Sequence, residues 1–299
     1  MNRKSIFYYL LCLAIAGQLH AQNLDSLLNS LSEYSAPQYT FGTFKGTTII
    51  NGQSVEIPEN GDLNFKISHR FGAVKLGVYE LFGIDQATTR FGFEYGIGDM
   101  AALSLGRSSY EKTFDGGLKI RLLRQQTGTT NMPVSVGIYS AAYIKTLKWE
   151  DPDRENLFSS RLSYATQLLI ARKFSQKLSL QLTPSYVHKN LVPAPEDQNN
   201  IFATGIGGRY KISRKISVNG EYYYLFPGKT ADDYVNSLSL GFDIETGGHV
   251  FQLQFTNSKS MIARGFIAET TGEWLDGFIY FGFNISRVFN LGENRKNIY

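Results

Sequence analysis

Hydrophobic and polar residues alternate with a period of two in runs of about ten residues, which is the length that a tilted strand needs to cross a bilayer. In one run, Leu180 and Leu182 fall on one side of the strand, and Gln181 and Thr183 fall on the other. The runs with this pattern are 62–72, 86–96, 99–108, 112–124, 132–147, 161–173, 177–188, 200–212, 215–225, 236–246, 248–257 and 275–289. The pattern therefore predicts twelve antiparallel strands.

The connections between these runs are alternately short and long. The short ones carry tight-turn signals, at Gly96–Asp99, Ser175–Gln176, Ser213–Arg214 and Thr246–Gly248. The long ones are polar stretches, at 148–159, 189–199, 226–235 and 258–274. This asymmetry is typical of up-and-down barrels of the Gram-negative outer membrane, in which tight turns face the periplasm and longer loops face outward. A secreted β-sandwich or propeller is the alternative.

We therefore predict an all-β fold, a transmembrane up-and-down antiparallel β-barrel over residues 61–290. In hydrocarbon every backbone donor and acceptor must be paired, so strands can span a membrane only as a closed sheet. Residues 39–50 also alternate, so a count of fourteen strands stays open. The outer membrane is the predicted location.

The first 21 residues have the order of a signal peptide. A basic start at Arg3 and Lys4 precedes an apolar run, and small residues follow, with cleavage expected after Ala21 or after Ala16. Cleavage after Ala21 leaves 299 − 21 = 278 residues and removes Cys12, the single cysteine of the chain. The exported protein is thus predicted to contain neither disulfides nor thiolate metal sites.

The segment 22–60 precedes the first barrel strand. Leucines at helical spacing predict a short helix over 24–34, and Asn60–Gly61 offers a turn into the barrel. Either this segment is a periplasmic helix plus hairpin, or it enters the lumen. Residues 291–299 are predicted to be a polar tail.

Several short motifs resemble those of a known family. They are 67–72 (ISHRFG), 79–85 (YELFGID), 106–110 (GRSSY) and 121–125 (RLLRQ). They are similar to an exported, uncharacterised outer-membrane β-barrel family of the Bacteroidetes lineage, a domain of unknown function. The resemblance covers about residues 40–289 and implies a barrel with no assigned activity, so it carries over no catalytic residue.

The faces of the strands that would not meet lipid carry an excess of cations. The predicted lumen-lining residues are Lys66, Arg70, Arg90, Glu94, Asp115, Lys119, Arg121, Lys145, Arg161, Arg209, Glu221 and Asp243. One interpretation is a closed interior of salt bridges, in a structural or binding barrel without conductance. The other is a narrow, porin-like channel that prefers small anions, because excess Arg and Lys lower the barrier for them.

Other chemistry has little support in the sequence. The histidines lack the spacing of a metal site, so no metal, no cofactor and no catalytic residue is predicted. A hydrolase would need a pair such as His188 with Ser185 or His249 with Asp243, and the first pair falls on opposite strand faces. The formal net charge is +4, and no stripe of basic residues dominates the sequence. Nucleic acid is therefore excluded as a partner. The expected partners are outer-membrane lipid and the barrel insertion machinery, and a protein partner is unknown.

Overall fold

The computed structural model describes residues 37–128, 130–149, 151–228 and 234–292. The predicted signal peptide, the helix over 24–34 and most of the polar tail lie outside the described residues. Within the described ranges, twelve strands form a closed antiparallel barrel. These strands are β1 (Asp62–Ala73), β2 (Ala87–Ile97), β3 (Ala101–Ser108), β4 (Thr113–Leu123), β5 (Ser135–Lys145), β6 (Leu162–Lys173), β7 (Leu178–Lys189), β8 (Asn200–Lys211), β9 (Ile216–Leu225), β10 (Ser237–Thr246), β11 (His249–Thr256) and β12 (Tyr280–Asn290).

Each strand pairs with its neighbours along the chain, and β12 closes the barrel on β1. The closing ladder runs from Asn290 opposite Asp62 to Tyr280 opposite Ala73, with a bulge between Tyr280 and Gly282. Closure leaves no sheet edge unpaired, which meets the requirement that hydrocarbon places on strands. The prediction of a twelve-stranded barrel is confirmed.

The helices of the described residues are short. The α-helix α1 spans Ala263–Ala268, and short 3-10 segments lie at Val74–Leu76, Val78–Gly83 (which is kinked), Tyr110–Lys112 and Phe158–Arg161. No helix in the described ranges has the length and apolar character needed to cross a membrane.

A separate small unit consists of the described residues up to Thr40 together with Gln125–Pro133. It contains an antiparallel pair of two-residue strands, in which Gln38 lies opposite Thr127 and Tyr39 opposite Gln126. The backbone N–H of Thr40 extends this pairing to the carbonyl of Gln125 at 2.8 Å.

The two ends of the barrel differ in their connections. At one end, which we call the turn end, most strands are joined by the short segments 98–100, 174–177, 212–215 and 247–248. At the other end, the loop end, the connections are mostly long: 74–86, 146–161, 190–199, 226–236 and 257–279. Two connections depart from the predicted alternation, because 109–112 at the loop end is short and 124–134 is long.

The barrel reverses the usual distribution of polar and apolar residues. Along β7, Leu180 and Leu182 are exposed, whereas Gln181 and Thr183 on the opposite face are buried. The same reversal recurs around the barrel, where exposed positions are mostly aromatic or aliphatic and many inward positions are Ser, Thr, Gln, Asn or charged. The inward faces of β5 to β9 also carry apolar residues, such as Tyr143, Leu169 and Val187. Soluble proteins bury apolar surface, so this arrangement fits an exterior in contact with lipid and a polar interior.

A charge placed on the apolar exterior should therefore destabilise the protein. Leu105 in β3 is 67% exposed and points away from the lumen. In Leu105→Arg we expect the free energy of unfolding from lipid bilayers to fall by about 2 kcal/mol, because a cation would enter hydrocarbon. Urea titration in lipid vesicles measures this value. The matched variant Leu157→Arg, in the loop 146–161, should change it little, and equal losses in both variants would contradict a lipid-facing exterior.

Candidate functional site

The lumen of the barrel is filled by a segment of the chain that precedes β1. Residues 41–57, which we call the plug, lie inside the ring of strands, and Phe44, Ile49, Ile50 and Val55 are buried there. The sequence left open whether this segment lies in the periplasm or enters the lumen. In the structure, these residues lie in the lumen.

A single carboxylate holds the tip of the plug. Glu221 on β9 is 3% exposed and accepts hydrogen bonds from three consecutive backbone N–H groups. These are the N–H of Ile50 at 3.2 Å, of Asn51 at 2.7 Å and of Gly52 at 3.1 Å. Among the described residues, no cation lies within salt-bridge distance of Glu221. Its charge is therefore balanced locally by the plug backbone, in the manner of an anion bound by a nest of N–H groups.

The close approach at this point requires a glycine. A Cβ atom at Gly52 would overlap the hydroxyl of Tyr223 and come 3.2 Å from Glu221 Oε2. Tyr223 is itself 3% exposed. The backbone of the plug thus reaches the wall of the barrel only because residue 52 has no side chain.

Other inward side chains bind the plug backbone along its length. Gln181 accepts from the N–H of Val55 at 3.0 Å and donates to the carbonyl of Gln53 at 2.7 Å. Gln252 donates to the carbonyl of Ile49 at 2.6 Å, and Lys119 to that of Thr47 at 2.9 Å. Polar wall groups therefore satisfy the backbone of a segment that has little regular secondary structure.

The predicted lumen-lining residues fall into two groups. Most have their side chains on the lumen side of the strands: Lys66, Arg70, Arg90, Glu94, Asp115, Lys119, Arg209, Glu221 and Asp243. The other three lie near the barrel ends, where Arg121 donates to the carbonyl of Asp99 and Arg161 to those of Lys145 and Leu147. Lys145 pairs with Glu111 of the connection 109–112 at 2.6 Å.

Several of the lumenal charges neutralise one another. Arg90 Nη2 lies 2.6 Å from Asp115 Oδ2, and Lys119 Nζ lies 3.1 Å from Glu94 Oε1. Arg70 differs, because its Nη2 donates to the amide oxygen of Asn51 on the plug at 2.6 Å. The interior thus combines ion pairs within the wall with a cation that binds the plug.

The turn end of the lumen opens into a cavity of about 500 Å³, which we call the vestibule. The plug forms part of its lining and is joined to the wall there by an ion pair between Lys45 and Glu245 at 2.8 Å. Glu245 also lies 3.4 Å from Arg209. A cavity of this size is in the range that binds small molecules.

The loop end of the lumen is covered by part of the connection between β11 and β12. Residues 257–271, which we call the lid, include α1 and contribute the buried side chains of Met261, Ile262, Phe266 and Ile267. The ring of Phe266 packs edge-on against Tyr223 with 5.0 Å between centroids. The lid and plug therefore close the lumen from opposite ends.

Ion pairs fasten the lid to the rim of the barrel. Arg264 pairs with Glu111 of the connection 109–112 and, at 3.1 Å, with Glu269 of the lid itself. Glu269 also pairs with Lys189 at the end of β7, at 3.6 Å. Beside this network, burial and the carboxylate of Glu269 raise the pKa of Tyr234 to about 12.

His188 and His249 were considered as the general base of a hydrolase. Neither is placed in the structure as catalysis would require. His188 is on the exterior of β7, with Nδ1 2.7 Å from Asn200 Oδ1. Ser185 is buried on the lumen side and donates to the carbonyl of Thr183 at 3.0 Å. His249 lies at the turn end opposite Thr246, and its ring contacts Phe251.

Sequence reasoning identified charged groups that bind the plug, namely Glu221, Lys119 and Arg70, but it did not identify the neutral ones. These are the amides of Gln181, Gln252 and Asn284, of which Asn284 donates to the carbonyl of Ile50 at 3.5 Å. Their signal was their inward position on the predicted strands, since a buried amide needs a partner. Nothing in the local sequence indicated that those partners would be backbone groups of residues 49–55.

A closed sheet with an apolar exterior and a polar lumen defines a membrane-bound β-barrel. The chain belongs to the family described as "Membrane bound beta barrel domain (DUF5777)", whose match covers residues 44–289. The family was thus correctly predicted as an uncharacterised β-barrel family.

Solved structures with a similar fold include two porins and an enzyme. The NanC porin has 8% identity and a TM-score of 0.48 over 76% of this chain and 98% of its own. The KdgM porin has 8% identity and a TM-score of 0.46 over 76% and 99%. An active-site mutant of outer membrane phospholipase A from Escherichia coli has 12% identity and a TM-score of 0.43 over 78% and 91%. No curated protein matches the chain.

Proposed function

We propose that the protein is a gated channel of the outer membrane that passes small solutes and prefers anions. The observation that carries this proposal is the way in which the lumen is closed. The plug backbone is held by hydrogen bonds to inward polar groups, centred on Glu221, in addition to the apolar contacts of Phe44, Ile49, Ile50 and Val55. Polar contacts can be exchanged for contacts with water when the plug moves, so the wall that remains would suit a water-filled pore.

The direction of the selectivity follows from the charges. The predicted lumen-lining residues comprise eight cations and four carboxylates. Among the described residues, Lys66 and Arg70 have no carboxylate within salt-bridge distance, and Glu221 and Asp243 have no cation within it. The larger number of lumenal cations would lower the energy of an anion in a narrow pore.

A second candidate is a binding or structural barrel that does not conduct. Closure of the lumen from both ends favours this function, because the cavities found beside the plug in the described part of the barrel measure about 20 to 30 Å³. In that case the long loops and the vestibule would be the surfaces that meet a partner.

The location and assembly belong to the same proposal. An exported chain of this kind would reach the outer membrane after cleavage of its signal peptide and would need the barrel insertion machinery. The Bacteroidetes-type origin rests on the sequence resemblance alone.

We further propose that the protein is not a hydrolase, since His188 and Ser185 occupy opposite faces of β7.

Conductance of the purified full-length protein in planar bilayers tests the function. We expect brief, small openings and, under a salt gradient, a reversal potential on the anion-selective side. The openings should be brief because plug and lid close the lumen in the stable state. The complete absence of current at any voltage would contradict the channel and favour the binding barrel, and cation preference would contradict the selectivity.

A further inference from the structure

The vestibule is lined by positive and negative side chains in equal number. The cations are Lys45, Lys173, Arg209 and Lys211, and the carboxylates are Glu56, Glu59, Asp62 and Glu245. Its volume of about 500 Å³ is many times that of the cavities beside the plug, which measure about 20 to 30 Å³. The vestibule therefore has the size of a small-molecule site, and the charges of its lining sum to zero.

Most of these charges are already engaged within the protein. Glu245 pairs with Lys45 at 2.8 Å and with Arg209 at 3.4 Å. Glu56 accepts hydrogen bonds from two backbone N–H groups of the plug, at 2.7 and 3.3 Å. Lys173 donates to a backbone carbonyl of the plug at 2.7 Å. These groups thus join the plug to the wall or to itself, and a ligand would have to displace those contacts to use them.

Two charges of opposite sign remain, on Lys211 and Asp62. Among the described residues, Lys211 has no carboxylate within salt-bridge distance, and Asp62 has no cation within it. Asp62 accepts one hydrogen bond, from the side-chain amide of Asn290 at 2.8 Å, and a carboxylate can accept several. Glu59, the last charged residue of the lining, is engaged in an interaction within the protein.

Lys211 and Asp62 stand on opposite sides of the vestibule. Lys211 is the last residue of β8 and Asp62 is the first residue of β1, so both lie at the turn end. The two strands are five positions apart in the ring of twelve. Backbones separated in this way lie roughly 23 Å apart, since neighbouring strands are about 4.8 Å apart and tilt by about 40°. The two charges are therefore too distant to pair with each other.

A ligand that carries both charges fits this arrangement best. An anion at Lys211 would leave Asp62 without a cation, and a cation at Asp62 would leave Lys211 without an anion. A zwitterion would form a charge-assisted hydrogen bond with each. A single amino acid is too short to reach both side chains across the barrel, whereas each further residue of a peptide adds about 3.5 Å.

We propose that the vestibule binds a peptide of two or three residues, with its terminal carboxylate at Lys211 and its terminal ammonium group at Asp62. The neutral side chains of Asn64 and Ser286 line the same cavity and offer hydrogen bonds to the peptide backbone between the two charges. The site does not depend on conduction, so it goes beyond the proposed channel and belongs equally to a binding barrel. In the predicted orientation it opens toward the periplasm.

Isothermal titration calorimetry with triglycine tests the site. The purified full-length protein is used in detergent, where both ends of the barrel are accessible, and we expect saturable binding. N-acetyl-triglycine lacks the ammonium group and triglycine amide lacks the carboxylate. Each should bind about fivefold more weakly than triglycine, the effect of one charge pair about 4 Å apart in water. Equal binding of the three peptides, or binding of none, would overturn the proposal.

Two variants assign the ends of the peptide. Lys211→Met should bind triglycine no more tightly than triglycine amide, and Asp62→Asn should bind triglycine no more tightly than N-acetyl-triglycine. Lys215→Met, in the exposed turn 212–215, and Asp276→Asn, exposed at the loop end, are the matched controls and should keep the wild-type preference. A wild-type preference that persists in both site variants would overturn the proposal. No current is measured here, so this failure is distinct from that of the channel.

Discussion

Replacement of Glu221 by alanine is expected to release the plug. The variant would leave the N–H groups of Ile50, Asn51 and Gly52 without an acceptor inside the barrel, where the wild-type carboxylate bonds all three. An unsatisfied buried donor costs about 1–3 kcal/mol, so three of them would favour the withdrawn plug by about 3 kcal/mol or more. That corresponds to an increase of about 100-fold in the equilibrium between withdrawn and inserted plug.

The open probability of single channels measures this change, and we expect it to rise steeply in Glu221→Ala. Glu221→Gln is the graded control, because its amide oxygen can still accept from the plug while its NH₂ group cannot, so its effect should be intermediate. A substitution of the wall that leaves the plug contacts intact, such as Ser185→Ala, should open the channel no more than wild type does. Equal gating in wild type and Glu221→Ala would show that this carboxylate does not hold the plug.

Phe266→Ala should detach the lid. The ring of Phe266 is 1% exposed and packs against Tyr223, which also contacts the plug at Gly52. Removal of a buried Phe side chain costs about 3–5 kcal/mol, and α1 has only six residues, so the ion pairs and the smaller buried side chains of the lid would have to hold it. We expect rapid cleavage within 257–271 by a protease added to the loop end of reconstituted protein.

Tyr79→Ala is the control for this experiment. Tyr79 is 93% exposed on the connection 74–86, so its replacement should leave the lid protected from the protease. The ion pairs of Arg264 with Glu111 and Glu269 should make the cleavage of Phe266→Ala faster at high salt, because screening weakens them. A lid that resists protease in Phe266→Ala would mean that its other buried side chains and its ion pairs are sufficient to hold it.

The strands could be predicted because their signal is local. A period of two appears within ten residues and depends only on which faces meet lipid and lumen, so β7 and its neighbours were located within a few residues of their ends. The tight turns were equally local, since glycine and serine signals stand between adjacent runs.

The plug could not be predicted because its contacts are not local. Asn51 and Glu221 are 170 residues apart, and Asn284 donates to a carbonyl 234 residues away in sequence. Residues 39–50 alternate as a strand would, yet residues 41–57 form little regular structure, and their position depends on inward groups from many strands. The lid was not predicted either. Its apolar residues lie within 258–274, which the sequence predicts to be a polar connection.

The sequence predicted which charged residues face the lumen better than it predicted which of them form ion pairs. Arg90 and Asp115 were both assigned to the lumen, but they stand on β2 and β4, so their contact depends on the stagger of β3 between them. Strand alternation places a side chain on a face, whereas an ion pair also requires the register of neighbouring strands. Lys66 and Arg70 had the same signal as the other lumenal cations, and only the structure shows that neither has a carboxylate within salt-bridge distance among the described residues.

Hydrogen exchange of the wild-type protein in lipid nanodiscs tests the central claim most directly. If the plug occupies the lumen, the amides of Ile49 to Val55 should exchange as slowly as those of the barrel strands, because Glu221, Gln181 and the plug backbone accept from them. Exchange of this segment as fast as that of an exposed loop such as 146–161, with the strands protected, would contradict a plugged lumen.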